Sequence, residues 1–249
     1  MPANPTQLNT IDEKEVAKFA AMADDWWNPN GKFRPLHKFN PTRLKFIRDN
    51  VMEHYGITDH SKPLTGLKLL DIGCGGGLLS EPMARMGAEV TGIDATEKNI
   101  KTASAHILNS DINIDYRHNT AEDLVKTHEG KFDVVLNMEV IEHVNEPQEF
   151  LRTAMKLLSP KGIMFVATIN RTAKARALAL FAAENILKWL PPGTHDYDKL
   201  VKPEEILPIL REDKNATIEG PIGVSYNPIT DRFSLSNDVS MNYMIVFKR

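Results

Sequence analysis

The stretch Leu67-Lys-Leu-Leu-Asp-Ile-Gly-Cys-Gly-Gly-Gly-Leu-Leu-Ser80, followed shortly by Ala88-Glu-Val-Thr-Gly-Ile-Asp94, decides the fold of this 249-residue chain. An apolar run ends at Asp71, and then glycines at alternate positions from Gly73 to Gly77 interrupt the hydrophobic pattern. Apolar residues resume at helical spacing from Leu78. The pattern predicts a strand, a tight loop and a helix, and then a second strand that ends in an acid.

A glycine loop of this kind lets the backbone approach a ligand, and the helix after it offers unpaired N–H groups. Gly73 and Gly75 are therefore predicted to contact a cofactor, and Asp94 can accept both hydroxyls of a ribose. The dinucleotide pattern G-x-G-x-x-G has Leu78 at its third position here, which disfavours an NAD-dependent reductase. Asp71 would crowd a pyrophosphate but suits a cationic amino-acid group. The arrangement resembles the first motif of the Rossmann-like S-adenosylmethionine (SAM)-dependent methyltransferases.

Composition limits the remaining classes of protein. The chain has 33 acidic and 30 basic residues, so a net charge of −3 offers no overall attraction to nucleic acid. Cys74 is the only cysteine and excludes an intrachain disulfide; we interpret it as a loop-filling residue rather than a reactive thiol. No segment resembles a secretory signal or a membrane span, and a cytoplasmic protein is expected.

Strands and helices alternate through the middle of the chain. Further strands are predicted at Ile112–Tyr116, Phe132–Met138 and Ile163–Ile169, and strand-like segments without intervening helices follow at 216–226 and 241–247. This order predicts an α/β fold with a doubly wound, mostly parallel sheet. A C-terminal antiparallel hairpin would complete the seven-stranded sheet of a Rossmann-like class I methyltransferase. Residues 1–65 are predicted as an N-terminal helical cap, and residues 66–249 as the main domain with a helical insertion at about 171–200.

The predicted cap contains three notable segments. A helix is expected to begin at Asp12, and Trp26-Trp27 follows it as either a packing plug or a lid over a hydrophobic substrate. Prolines and basic residues crowd the segment 34–43, which is expected to bind a carboxylate or to be solvated. The next helix is predicted to carry Leu44 to Tyr55.

The sequence Met138-Glu-Val-Ile-Glu-His143 lies where the fourth strand ends. If a helical turn begins there, Glu139, Glu142 and His143 share one face. Such a group can bind a hard cation such as Mg²⁺ through its carboxylates and imidazole, or supply a general base, with His143 or Glu142 as candidates. A Glu-His pair that merely caps a helix is the structural alternative.

The segment Asn119-Thr-Ala-Glu-Asp-Leu124 lies between the third strand and the next helix. In the methyltransferase pattern this loop lies under the adenine, and Glu122 is the acidic residue predicted to contact the cofactor. The same residues are typical of a helix N-terminus, with Asn119 or Thr120 as the cap. The two interpretations are compatible.

Several motifs together resemble the bacterial and mitochondrial O-methyltransferases of ubiquinone biosynthesis over residues 12–247. The motifs are Trp26-Trp27, Pro35-Leu-His37, Asn40-Pro41, Arg43, Asp71 to Gly77, Met138 to His143, Asn170-Arg171, Gly193 to Asp196 and Tyr226 to Thr230. The resemblance implies that SAM is held at Arg43, Gly73, Asp94 and Met138. It associates a divalent cation with Glu139, Glu142 and His143. It also implies methylation of two ring hydroxyls of polyprenylated phenol or catechol intermediates.

The segment from Ala173 to Leu190 favours a helix and ends at Pro191-Pro192. Basic residues at Lys174 and Lys188, together with Trp189, suit an anionic membrane surface, so the stretch 171–190 is predicted to contact the inner face of the membrane peripherally. A buried cap helix over the active site is the alternative. Other enzymes of ubiquinone biosynthesis are expected partners, and a methyltransferase-fold scaffold protein or a methyltransferase of another small phenol is the competing function.

Overall fold

The structure, a computed structural model, describes residues 10–177 and 197–249. The helices among these residues are α1 (Glu13–Met22), α2 (Arg34–Tyr55), α3 (Ser80–Arg85), α4 (Glu97–Ile107), α5 (Ala121–His128), α6 (Pro147–Leu157), α7 (Ala173–Ala175) and α8 (Pro203–Leu210). Short 3₁₀ turns occur at Ala23–Asp25, Ile141–His143 and Tyr197–Lys199. The strands are β1 (Lys68–Ile72), β2 (Glu89–Asp94), β3 (Ile114–His118), β4 (Phe132–Met138), β5 (Leu158–Ile169), β6 (Thr217–Asn227), β7 (Arg232–Ser236) and β8 (Asn242–Lys248).

The strands form one mixed sheet in the order β3-β2-β1-β4-β5-β8-β6-β7. The first five pair in parallel, whereas β8, β6 and β7 pair antiparallel. Strands β2 and β3 are added on one side of β1, and β4 and β5 on its other side, so the order of the strands switches between β1 and β4. In such sheets the ligand crevice lies at this switch point, outside the carboxyl ends of the strands. The predicted doubly wound, mostly parallel fold is confirmed, and it brings the ends of β1, β2 and β4 to one edge.

The described sheet has eight strands, and the predicted number of seven was wrong. The segments 216–220 and 221–226 form the single strand β6, whose pairing with β8 shifts register between Glu219 and Ile222. The additional strand β7 pairs only with β6 among the described strands. Its side chains are partly or fully exposed, and the alternation of Phe233 and Leu235 with polar residues extends over only five residues, which is a short pattern from which to recognise a strand.

Helices pack on both faces of the sheet, so its central strands β4 and β5 are buried on both sides and carry apolar side chains on each face. On one face, α5, α6 and α8 pack through residues such as Leu124, Phe150 and Ile206. On the other face, α2 packs directly on the sheet through Phe46 and Ile47. The predicted division into an N-terminal helical cap (residues 1–65) and a main domain (residues 66–249) stays a prediction.

Helix α2 begins at Arg34, ten residues before the predicted start. Pro35 lies in its first turn, where a missing N–H costs nothing, and Pro41 lies in its interior. The interior proline is tolerated because the apolar side of the helix is anchored on the sheet, and the neighbouring Thr42 hydroxyl donates to the Phe233 carbonyl at 2.9 Å. The helix ends at Gly56 in the left-handed conformation.

The predicted insertion is described only at its edges. Thr172 caps the short helix α7 by accepting a hydrogen bond from the Ala175 N–H at 3.0 Å. Most of the predicted amphipathic helix, from residue 178 onward, and the Gly193–Asp196 motif lie outside the described residues. Within the described ranges, no helix combines the length and the apolar character needed to cross a membrane.

Candidate active site

A cavity of about 660 Å³ lies at the carboxyl edge of the parallel strands. Its walls include most of the residues predicted from the sequence: Arg43, Asp71, Gly73, Asp94, Glu122, Met138, Glu139 and His143. Of the described residues, Gly75 and Glu142 were predicted for the site but do not line this cavity. The N-terminal helix α1 also lines the cavity, through Glu15, Val16 and Phe19.

The Asp94 carboxylate connects the end of β2 to the glycine loop. It accepts hydrogen bonds from the Gly75 N–H at 2.9 Å and the Thr96 N–H at 2.7 Å, and the Asn99 amide lies 3.3 Å from both oxygens. Burial raises the pKa of Asp94, and these donors act in the opposite direction. Gly75 therefore shapes the site by positioning Asp94.

Asp71, near the end of β1, and Arg43, on α2, are both buried and interact electrostatically. The Ser80 hydroxyl donates to Asp71 at 2.6 Å, and burial raises the pKa of Asp71 to about 6. Arg43 donates to the Asn40 side chain at 2.8 Å, but its Nε has no hydrogen-bond partner in the described part of the chain. Burial lowers the pKa of Arg43, while the carboxylates of Glu139 and Asp71 favour its charged form. A buried, incompletely satisfied guanidinium fits a ligand carboxylate, and Asp71 fits an ammonium group.

The two adjacent tryptophans pack against the glycine loop. Trp26 stacks on Phe33 with 3.6 Å between ring centroids and donates from its indole to Asn99 at 2.9 Å. Trp27 stacks on His106 and donates to the Gly76 carbonyl at 2.8 Å. The packing interpretation is confirmed, and Trp26 also contributes to the cavity wall. Nothing in the local sequence signalled Asn99, which joins Trp26 to Asp94.

Cys74 is buried within the glycine loop. Burial raises the pKa of its thiol well above the usual value, with the nearby carboxylates of Asp94 and Asp71 acting in the same direction. Because the thiolate is the reactive form, this supports the interpretation of Cys74 as a packing residue.

The predicted shared face of Glu139, Glu142 and His143 was wrong. Glu139 has a left-handed backbone, with φ of +62°, and a 3₁₀ turn follows at Ile141–His143 in place of an α-helical turn. Glu139 and Glu142 remain neighbours, but the imidazole of His143 does not join them and contacts Glu15. A left-handed conformation in a residue other than glycine is strained, and such residues concentrate at functional sites.

Glu142 is 2% exposed, and neither of its carboxylate oxygens has a hydrogen-bond partner among the described residues. Burial and the adjacent charge of Glu139 raise the pKa of Glu142 well above its usual range. Burial also raises the pKa of Glu139, with Arg43 acting in the opposite direction. Glu142 is therefore a buried acid that does not itself line the cavity.

His143 faces the cavity, and its Nδ1 lies 2.8 Å from the carboxylate of Glu15. The described ranges contain no group of three or more His, Cys, Asp or Glu side chains placed to hold a metal ion. The predicted metal set is thus not assembled as expected: Glu139 and Glu142 are neighbours, and the imidazole is paired elsewhere. Glu15 was missed because a glutamate at the start of a helix is ordinary there.

Glu122 lines the cavity at the start of α5 and accepts a hydrogen bond from the Thr10 hydroxyl at 2.5 Å. The Thr120 hydroxyl caps α5 by accepting from the Asp123 N–H at 3.1 Å. The capping interpretation of this segment is confirmed. The contact of Glu122 with adenine stays a prediction.

Comparison with known proteins agrees with this site. A model of the methyltransferase domain family matches residues 70–166, which contain the end of β1, the glycine loop and β4. The ubiquinone biosynthesis O-methyltransferase of Sinorhizobium fredii (strain NBRC 101917 / NGR234) is 58% identical over 245 residues, 98% of each chain. That of Maricaulis maris (strain MCS10) is 54% identical over 249 residues, 99% of this chain and 97% of the relative.

Solved structures show the same fold. Magnesium protoporphyrin IX methyltransferase from Synechocystis PCC 6803 with bound SAH matches with a TM-score of 0.62 at 20% identity, over 96% of this chain and 100% of that one. A plantazolicin methyltransferase bound to a pentazolic analog and SAH matches with a TM-score of 0.60 at 18% identity, over 95% of this chain and 98% of that one. Since the glycine loop, Asp71 and Asp94 line one edge of this fold and the relatives match almost the whole chain, the protein belongs to the ubiquinone biosynthesis O-methyltransferase family and is a SAM-dependent enzyme.

Proposed function

We propose that this protein transfers the methyl group of SAM to ring hydroxyls of polyprenyl catechol and hydroquinone intermediates in ubiquinone biosynthesis. The two steps are the early methylation of a 2-polyprenyl-6-hydroxyphenol and the late 3-O-methylation of a 3-demethylubiquinol. The observation that carries the proposal is that one cavity contains the charged residues suited to SAM and a histidine suited to phenol deprotonation. The names of the close relatives support the substrate class.

In the proposed complex, Asp71 binds the ammonium group of SAM and Arg43 binds its carboxylate. Asp94 accepts the ribose hydroxyls, and Gly73, Met138 and Glu122 contact the rest of the cofactor. The supporting observation is that all six residues line the same cavity, and that Arg43 carries an unsatisfied buried donor. Buried donors without partners are costly, so a ligand that pairs with Arg43 gains affinity.

The aromatic ring would enter the same cavity from the side of α1, where Val16 and Phe19 are apolar. His143 would accept the proton of the attacking hydroxyl as the ring oxygen forms its bond to the methyl carbon. The bond between that carbon and the sulfonium breaks, its electron pair goes to sulfur, and S-adenosylhomocysteine leaves. The proton on His143 then passes to solvent.

The test is transfer of labelled methyl from SAM to a short-chain prenyl catechol. We expect His143→Gln to lower kcat by about 10²–10⁴-fold, the usual contribution of general base catalysis, while SAM affinity stays within twofold of wild type. His60→Gln is the matched control, because His60 is exposed in the connection between α2 and β1. Unchanged kcat in folded His143→Gln would refute the assignment of the base.

The cofactor prediction includes a divalent cation in addition to SAM. Glu139 and Glu142 are adjacent carboxyls of raised pKa, and the unpaired oxygens of Glu142 are suitable ligands for a hard cation. Mg²⁺ bound to these two carboxyls would displace their protons. Calorimetric titration of the protein with Mg²⁺ alone, in two buffers, should therefore show proton release, and Glu142→Gln should abolish this release. Exhaustive chelation should then abolish methyl transfer and leave SAM affinity nearly unchanged. Absence of Mg²⁺ binding at millimolar concentration would contradict the cation.

We propose peripheral contact with anionic lipid through the stretch 171–190, on the cytoplasmic face. Support comes from the basic residues of this stretch and from a polyprenyl substrate that is insoluble in water. Flotation with liposomes that contain anionic lipid should recover the protein at low salt and lose it as salt rises. Binding that survives deletion of 173–188 in a folded protein would assign the contact to another surface. Contact with other enzymes of the pathway stays a prediction.

A further inference from the structure

The side chain of Glu15 leaves its own helix and reaches His143. Its Oε2 lies 2.8 Å from Nδ1 of the imidazole, and both side chains are 14% exposed. Glu15 is the third residue of α1, whose N-terminus is already capped by Asp12 through the N–H groups of Lys14 and Glu15. The carboxylate of Glu15 is therefore not needed for capping and is available to the histidine.

Two further contacts restrict this pair. Lys18, one turn along α1, donates to Glu15 at 2.9 Å and keeps the carboxylate charged. The pKa of Glu15 is lowered to about 2, because the hydrogen bonds from His143 and Lys18 outweigh the opposing effect of burial. Phe19 lies edge-on to the imidazole, with 5.0 Å between centroids and an angle of 88°. Helix α1 thus holds the ring through a charged acceptor and an aromatic contact.

A carboxylate that accepts from Nδ1 fixes the tautomer in which Nδ1 carries the hydrogen. The second nitrogen, Nε2, is then the basic one, and the imidazolium that forms during proton transfer is stabilised by the negative charge. We propose that Glu15 is the positioning residue for His143 in methyl transfer. The inference rests on the proposed role of His143 as the general base.

The position of Glu15 is fixed by contacts at the start of α1. The segment before α1 is joined to the segment after His143: the Asn145 N–H donates to the Thr10 carbonyl at 2.8 Å, and Ile11 pairs with Val144 as an isolated antiparallel bridge. These contacts hold the start of α1 beside the segment that carries the histidine. The same helix lines the cavity, so one element supplies both part of the cavity wall and the partner of the base.

The experiment compares Glu15→Gln and Glu15→Ala with Glu13→Gln, a matched control that removes the same charge from an exposed position on α1. Glutamine can donate to Nδ1 and so favours the wrong tautomer, the type of change that lowers kcat by up to about 10⁴-fold in a Ser-His-Asp enzyme. We expect both Glu15 variants to lower kcat at least about tenfold, with KM for the catechol and the Kd of SAM within twofold of wild type. Glu13→Gln should retain wild-type kcat.

A direct spectroscopic measurement uses ¹⁵N-histidine in the wild-type protein, with His143→Gln to assign the signal. We expect the hydrogen of His143 on Nδ1, and a mixed or inverted tautomer in Glu15→Gln. A wild-type His143 with its hydrogen on Nε2 would overturn the proposal even if the Glu15 variants failed to fold.

The two proposals fail in different ways. If His143→Gln retains kcat, the assignment of the base is wrong and Glu15 has no base to position. If His143→Gln loses activity but folded Glu15→Gln does not, only the role of Glu15 is wrong. If both are right, adding Glu15→Gln to His143→Gln should lower kcat little further, because the two residues act as one unit.

Discussion

At the residue scale, Asp71 makes SAM affinity depend on pH. The pKa of its buried carboxyl is about 6, and the ammonium of SAM should bind the ionised form. Lowering the pH protonates Asp71, so affinity should fall as pH decreases through 6. If only the ionised form binds, the apparent Kd rises about fourfold between pH 7.0 and 5.5, as the binding-competent fraction decreases.

Calorimetry of SAM binding across this range checks the Asp71 prediction. Asp71→Asn should bind SAM more weakly and with a flatter pH dependence, because it has no titrating group at this position. A wild-type affinity that is constant from pH 7.0 to 5.5 would show that Asp71 does not contact the ammonium group.

Substitution of alanine at Gly75 would have two effects, backbone strain and a steric clash, which a second glycine allows us to separate. Its φ is +55°, and a Cβ there would lie 2.3 Å from the Trp26 ring. Gly130 has a similar φ of +66°, but nothing lies within 4 Å of its Cβ position. Gly130→Ala should therefore cost only the left-handed strain, about 1–2 kcal/mol, whereas Gly75→Ala should cost more and displace Trp26.

Chemical denaturation of the two alanine variants, with tryptophan fluorescence as the probe, measures this difference. Gly75→Ala should also weaken SAM binding, since the Gly75 N–H holds Asp94. Equal losses of stability in both variants would mean that Trp26 moves away without cost.

At the element scale, α1 behaves as part of the active site because it lines the same cavity as the glycine loop. SAM binding should therefore slow amide hydrogen exchange in residues 13–25 by stabilising the docked helix. Helix α8 is the internal control, since it packs against α6 and does not line this cavity. Exchange in α1 that is unaffected by saturating SAM would show that its docking is independent of the cofactor.

Elements with a strong periodic pattern were predictable, and elements with a weak one were not. The fourth strand was predicted at its observed bounds, because Phe132 to Met138 is apolar on both faces. Helix α2 was predicted too short, since Pro41 is locally a helix breaker and its tolerance depends on packing with the sheet. Strand β7 was missed because the alternation of Phe233 and Leu235 with polar residues is short, and its pairing with β6 is seen only in the folded sheet.

At the scale of the whole molecule, the central sheet carries the stability of the fold. Phe165 is fully buried on β5 between β4 and β8, and its ring meets Phe46 of α2 edge-on at 5.9 Å. Phe165→Ala should destabilise the protein by about 3–5 kcal/mol through lost burial and the cavity left behind. Leu108→Ala is the control: Leu108 is 79% exposed, and its loss should change stability by about 0.5 kcal/mol or less.

Urea unfolding at equilibrium measures both substitutions through the change in midpoint at constant slope. A loss below about 1 kcal/mol for Phe165→Ala, within the range of ordinary surface substitutions, would show that the sheet repacks around the vacated volume.

The sequence alone determined the fold class, the cofactor loop and the approximate membership of the site. These depend on short-range patterns: strand, glycine turn and helix in succession, with an acid at each strand end. Because parallel strands bring their carboxyl ends to one edge, Asp71, Asp94 and Met138 could be assigned to one cavity without coordinates.

Only the tertiary structure decided the partners of the chemically active groups. Glu142 was predicted at the reaction centre but is buried and does not line the cavity, since Glu139 adopts a left-handed backbone and a 3₁₀ turn replaces the helix. Glu15 is far from His143 in the chain and pairs with it because α1 docks across the carboxyl edge of the sheet. Spacing along a sequence specifies contacts within one turn of a helix, whereas a contact between distant segments depends on how their elements pack.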